Sequence, residues 1–172
     1  VRDKSAETQK TAPKLRFLEE HILKSPPLAV QQVKREIVGM AETSLRNFEI
    51  ACDTVCSLDY TDIEEFRSNE EQLNYLNKEI AKFIVKLLKS DLSDADRNYL
   101  ATAFRSITDL ERVGDYAENI VEYADRLKET DERFSEVAVT EIQDLKSVIR
   151  ELFGNALSAY RLVDGDSLRR AY

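Results

Sequence analysis

Two carboxylates one helical turn apart, Glu111 and Asp115, stand within the segment DLERVGDYAENIVE, Asp109 to Glu122. On a helix such i, i+4 side chains share a face, with their bases about 6 Å apart. Leu110 and Gly114 place the pair beside an apolar stripe. On a solvated face two like charges at this spacing cost only about 0.2–0.5 kcal/mol, but beside a core they call for a compensating cation or positive side chain. Further upstream, Glu70 occupies a position in a second apolar stripe and Asn74 follows one turn later. If the two helices are antiparallel neighbours, Glu70, Asn74, Glu111 and Asp115 can converge into an oxygen-rich site suited to a hard or borderline divalent cation. The plainer alternative is a solvated charged face. Glu-x-x-x-Asp recurs by chance on charged helices, and Arg112 or Lys78 could pair with these acids as ordinary surface ion pairs.

Long helices are needed to position these residues. Residues 1–14 are polar, mixed in charge and aperiodic before Pro13, and read as a linker. Residues 15–26 form an N-terminal arm whose apolar cluster, Leu15, Phe17, Leu18, Ile22 and Leu23, is expected to pack against the rest. From Pro27, a first helix carries Val30, Val33, Ile37, Met40, Ser44, Phe48, Ala51 and Val55 at three-four spacing. Thr61 or Asp62 is placed to cap a second helix, striped by Phe66, Glu70, Leu73, Asn77, Ile80, Ile84 and Leu87. Ser93 followed by Asp96 resembles a capping box. It opens a third helix, running to about Lys128 and striped by Leu100, Ala103, Ile107, Leu110, Gly114, Ala117, Val121 and Ala124. Gly114 marks a point where another element could approach closely. A fourth helix begins between Glu132 and Thr140 and carries Ile142, Leu145, Ile149, Leu152, Ala156, Ala159 and Val163 at heptad-like spacing. Asp164-Gly165-Asp166 is expected to stop it. The fold class implied is all-α: an elongated antiparallel bundle of three to four long helices with a short N-terminal arm. A three-helix unit covers 27–130, and 131–172 holds the fourth helix and the start of an incomplete second unit.

Composition removes several function classes. The balance of 25 basic against 33 acidic residues, a net charge of -8, argues against a nucleic-acid partner. No apolar run approaches the ~20 residues needed to cross a bilayer, so the chain is expected to be soluble. Cys52 and Cys56, four apart on a helix, suit small core filling in a reducing compartment better than a disulfide. The sole histidine, His21, lies in the arm, which leaves no Glu-x-x-His pairs for a ferritin-like di-iron centre. Neither a glycine-rich phosphate loop nor a Ser-His or Cys-His pair is present, so turnover is not expected. Tyr99, Tyr116, Tyr123 and Tyr160 read as core-edge aromatics with wet hydroxyls. The apolar stripe of the fourth helix either closes the bundle or meets a second copy in a homodimer.

The segment DLERVGDYAENIVE resembles the signature of PhoU domains, with Glu111, Arg112, Gly114, Asp115, Ala117, Asn119 and Ile120 in register. Upstream, FLEEHILKSPPLAVQQVKREIVGMAE, Phe17 to Glu42, is similar to the start of this domain in bacterial sodium/phosphate cotransporters, where it follows the membrane region. The resemblance implies a regulatory domain, not an enzyme, on the cytoplasmic side of the inner membrane. It would control phosphate transport through contacts with a transporter domain of the same polypeptide or complex. It also implies that acidic-x-x-x-Asp motifs on the second and third helices bind metal, with iron, zinc, manganese and magnesium as candidates. Glu111 and Asp115 match that pattern fully. Glu70 matches its first acid on the second helix, whereas Asn74 stands where Asp is expected and removes one negative ligand. A metal-free helical adaptor that binds partner proteins is the alternative, and a carboxylate-metal hydrolase is a distant third.

Overall fold

A computed structural model describes residues 12–169, with side chains described through Arg161. Most of the 1–14 linker therefore lies outside the described residues. Within them the chain is all-helical and has no strand: a short 3-10 turn (η1, Glu20–Lys24) precedes α1 (Pro26–Ser57), α2 (Ile63–Leu87), α3 (Asp94–Glu129) and α4 (Glu136–Arg169). Pro26 and Pro27 open α1, where their missing N–H groups leave no helical bond unmade. Leu58 closes α1 in the left-handed region at φ 55° and donates its N–H to Thr54 O at 2.7 Å. Ser93 caps α3 as its spacing predicts. Its Oγ accepts from the Asp96 N–H at 3.1 Å and donates to Asp96 Oδ2 at 2.8 Å. At α2 the cap differs from expectation. Asp62 holds the N-cap position without a capping side-chain bond, because its carboxylate accepts instead from Arg46 Nη2 at 3.2 Å.

Helices α1, α2 and α3 make the core. Val33, Met40, Leu73, Ile80, Ile84, Leu87, Leu100 and Ile107 are fully buried in one cluster. Smaller clusters continue it along the bundle through Ile50, Phe66 and Ala117, then Val55, Ala124 and Leu127. In this order α1 and α3 run parallel and pack directly on each other, with α2 antiparallel to both and in contact with each. The arm packs on the first cluster through Leu18, which is buried, and through Leu15, Ile22 and Leu23. Its anchor is polar. Glu36, 2% exposed on α1, accepts from the backbone N–H of Arg16 at 3.1 Å and of Phe17 at 2.8 Å. A carboxylate at this depth is tolerated because charge-assisted bonds replace its water.

The inward stripe of α1 departs from the expected one at one step. Asn47 is buried and Phe48 only half-buried; both lie three or four residues beyond Ser44, and the close approach of α2 at Phe66 selects the amide. Cys52 is buried, Cys56 half-buried, and both are free thiols.

Two expectations for α4 are corrected. Asp164-Gly165-Asp166 does not stop the helix, which continues to Arg169; an interior glycine costs about 1 kcal/mol and, without proline, does not break a helix already propagating. Its buried side is also rotated from the heptad stripe. Ile142 and Ile149 are half-buried together with Lys146, Phe153, Leu157 and Tyr160, whereas Leu145, Leu152, Ala156 and Ala159 are exposed, Leu152 at 64%. Ion pairs explain the rotation. Lys146 meets Asp53, Arg150 meets Glu49 and Arg161 meets Glu42, each at 2.5 Å. This ladder fixes α4 antiparallel to α1. Tyr160 also reaches α3, with its hydroxyl bonded to that of Tyr99 and the ring centroids 6.4 Å apart.

Candidate functional site

The absence of a side chain at Gly114 lets α2 close on α3. A Cβ placed there would stand 2.8 Å from Glu70 Oε1 and 2.9 Å from Leu73 Cδ1, closer than non-bonded atoms settle without something shifting. The close-approach point expected from the sequence is thus the place where Glu70 enters the helix seam. Asn47 of α1 completes the junction. Its Nδ2 donates to Glu70 Oε1 at 2.9 Å and to Phe66 O at 3.1 Å, while its Oδ1 is buried with no hydrogen-bond partner among the described residues. One turn away, Ser44 Oγ donates to Leu110 O at 2.9 Å and ties α1 to α3 beside the acidic pair.

Electrostatically the seam is negative. Burial pushes the Glu70 carboxyl above its ordinary value, opposed by the Asn47 hydrogen bond and reinforced by the charges of Glu118, Asp115 and Glu111. Glu111 is half-buried, and Asp115 and Asn74 are exposed. Arg112 turns away to Asp109, at 3.7 Å, and is not the partner of Glu111 and Asp115. Of the four sequence-predicted residues, Glu111 and Asp115 thus act on Glu70 across the α2/α3 seam, whereas Asn74 stands on the solvent side of α2. Among the described residues, no three Asp, Glu, Cys or His side chains are gathered in positions to hold a metal ion as they stand. His21 is remote from the seam, on the arm beside Glu19 at 3.0 Å.

Asn47 is the residue that sequence reasoning missed. A signal existed: it follows Ser44 by three positions and precedes Ala51 by four, the same spacing that marks the rest of the α1 stripe. The larger apolar Phe48 masked it. Glu36 was hidden in the same way, between Val33 and Met40 in the inward register of α1.

The PhoU domain family model matches residues 37–124, which takes in most of α1, all of α2 and α3 as far as Ala124. Among curated proteins, the chain is similar to a phosphate-specific transport system accessory protein PhoU homologue of Xylella fastidiosa, at 28% identity over 100 residues, 58% of this chain and 42% of that protein. Homologues of the same description from Pseudomonas putida and Pseudomonas aeruginosa are 24% and 23% identical over 150 residues, 87% of this chain, and 58% and 61% of their own lengths. The chain thus spans less than two thirds of these relatives. No solved structure matches it. Among the described residues no helix is long and apolar enough to cross a membrane.

Proposed function

This chain belongs to the PhoU domain family, and from that premise we propose that it is a regulatory module of phosphate transport, acting by helix-bundle contact and not by turnover. The observation that carries this reading is the junction at Gly114. The family match spans it, and Glu70, Asn47, Gly114 and Ser44 hold three helices in one fixed packing there. A rigid three-helix frame suits a protein whose output is contact. The names of its relatives, accessory proteins of phosphate-specific transport systems, point to a transporter as partner.

The transporter in this proposal is a sodium/phosphate cotransporter, with the chain as its cytoplasmic part at the inner membrane. The stretch Phe17 to Glu42 supports that choice by its resemblance to the same region of those proteins. The partner surface is the exposed apolar row of α4, Leu145, Val148 and Leu152, and the groove of about 390 Å³ that α4 makes with α1 and α3 around Leu110 and Val113. The test is phosphate uptake by cells carrying the transporter with this chain intact, deleted, or bearing Leu145→Glu and Leu152→Glu. Uptake that no longer adjusts to external phosphate in both altered strains supports the reading; unchanged adjustment in both refutes it. Sedimentation of the isolated chain distinguishes a second copy as the occupant of that face.

We further propose that the seam takes a divalent cation, iron, zinc, manganese or magnesium, through Glu70, Glu111 and Asp115, with Asn74 as a weak fourth. The repulsion already acting on Glu70 favours a cation there. The carboxylates are not gathered around one point and Asn74 is an exposed neutral ligand, so weak or partial occupancy is expected. That same openness favours the metal-free adaptor as the second reading.

A further inference from the structure

We propose that the cleft between the N-terminal arm, α1 and α4 binds a phosphate-bearing anion. The cleft, of about 300 Å³, is lined by Arg16, Lys34, Arg35 and Arg161, with Glu42 as its carboxylate. In a chain of net charge -8, this concavity reverses the local sign. Buried Glu36 lies behind the arm and tempers the excess, but its oxygens are engaged by the N–H groups of Arg16 and Phe17.

The arginines come from three separate elements. Arg16 is carried by the arm, which Glu36 pins, and its Nη1 lies 3.9 Å from where a Cβ on Gly39 would stand. The guanidinium of Arg35 lies over the Phe17 ring, 5.7 Å from its centroid. Stacking of this kind orients the planar group and leaves its edge donors free to bind. Arg161 takes Glu42. Among the described residues, Arg16 and Arg35 thus line the cleft without an ion-pair partner.

Donor geometry selects the ligand class. Each guanidinium presents a fixed fork that matches two oxygens at once. A carboxylate has two oxygens and satisfies one fork. A tetrahedral phosphate group has three or more, and can serve Arg16 and Arg35 together while drawing Arg161 from Glu42. Such a ligand would join the arm and α4 to α1. Free phosphate and a lipid headgroup share this chemistry. The inference stands on this cleft and not on the transporter reading.

The test is calorimetric titration of the chain with sodium phosphate at constant ionic strength against sodium chloride. It is paired with flotation on phosphatidylcholine vesicles with and without phosphatidic acid. Saturable binding of free phosphate assigns the site to the soluble anion, and capture only by phosphatidic acid vesicles assigns it to a headgroup. In either case the double variant Arg16→Gln/Arg35→Gln should weaken binding at least about tenfold. Glu42→Gln should strengthen it by about threefold, because the opposing carboxylate is removed and Arg161 released. Binding of neither probe, equal heats with chloride, or full binding by the double variant overturns the proposal. Unchanged affinity in Glu42→Gln also overturns it, even where the double variant does not fold.

Discussion

Asn47 of α1 donates its side-chain amide to Glu70 Oε1 of α2 at 2.9 Å, and the same group reaches Phe66 O at 3.1 Å. One amide therefore holds the carboxylate that α3 closes over. Replacing Asn47 by Ala removes both bonds and leaves a half-buried carboxylate without its donor. The expected loss is about 1–3 kcal/mol, read as a lower urea midpoint with an unchanged slope.

Two glycines in helix interiors should respond in opposite directions to alanine. At Gly114 a methyl meets Glu70 Oε1 and Leu73 Cδ1 inside 3 Å, and Leu73 is fully buried and cannot swing clear. Overpacking of about 1–3 kcal/mol outweighs a propensity gain of about 1 kcal/mol, so Gly114→Ala should melt lower. At Gly154 a methyl would project into open space, with no neighbouring atom within 4 Å beyond the helix's own backbone, and Gly154→Ala should be neutral or stabilising in the same melt.

The raised Glu70 carboxyl makes stability depend on pH with a definite sign. Burial, then the charges of Glu118, Asp115 and Glu111, hold its folded pKa above the unfolded value of 4.5. Within the window between those two values the folded state binds more protons than the unfolded one, so stability falls as pH rises through it. Glu70→Gln keeps an oxygen to accept from Asn47 and carries no charge. This variant should be more stable than the parent at neutral pH and should lose that advantage in acid; urea midpoints at pH 4 and pH 7 measure both.

Replacing Glu111 by Gln and Asp115 by Asn should abolish any divalent-ion binding, since neutral oxygens leave the cation's charge uncompensated. Helicity should persist, because neutralising two like charges one turn apart removes repulsion. Elemental analysis of protein purified without chelator, with titration of iron, zinc, manganese and magnesium, gives the outcome. No metal and no heat in the parent chain would leave the adaptor as the better reading.

Much of the fold was readable because its signals are local. Ser93 and Asp96 needed only three-residue spacing to mark the start of α3, and Gly114 announced a close approach by being the one residue without a side chain in an apolar stripe. What failed to show were choices made between helices. Asn47 and Phe48 both fit the periodicity of α1, and only the position of Phe66 O decides which turns inward. On α4, two faces are apolar enough to be core, and the pairing of Lys146, Arg150 and Arg161 with α1 acids selects between them. The acids of the seam were legible as residue types, but Asn74 sits on the outer face of α2, a rotation that the four-residue spacing from Glu70 does not reveal.

The ladder that ties α4 to α1 gives this helix a fastening of a different kind from core burial. Apolar burial holds α1, α2 and α3 together and is not weakened by screening, whereas α4 adds to its half-buried apolar contacts a row of ion pairs along one flank. Ionic strength should therefore act as a selective solvent for one helix, since exposed pairs weaken as the screening length contracts. Amide hydrogens of α4 should exchange through a local opening that grows easier with added salt, while those at the centre of α3 wait for global unfolding. Lys146, at 12% exposure, is the rung that should release last.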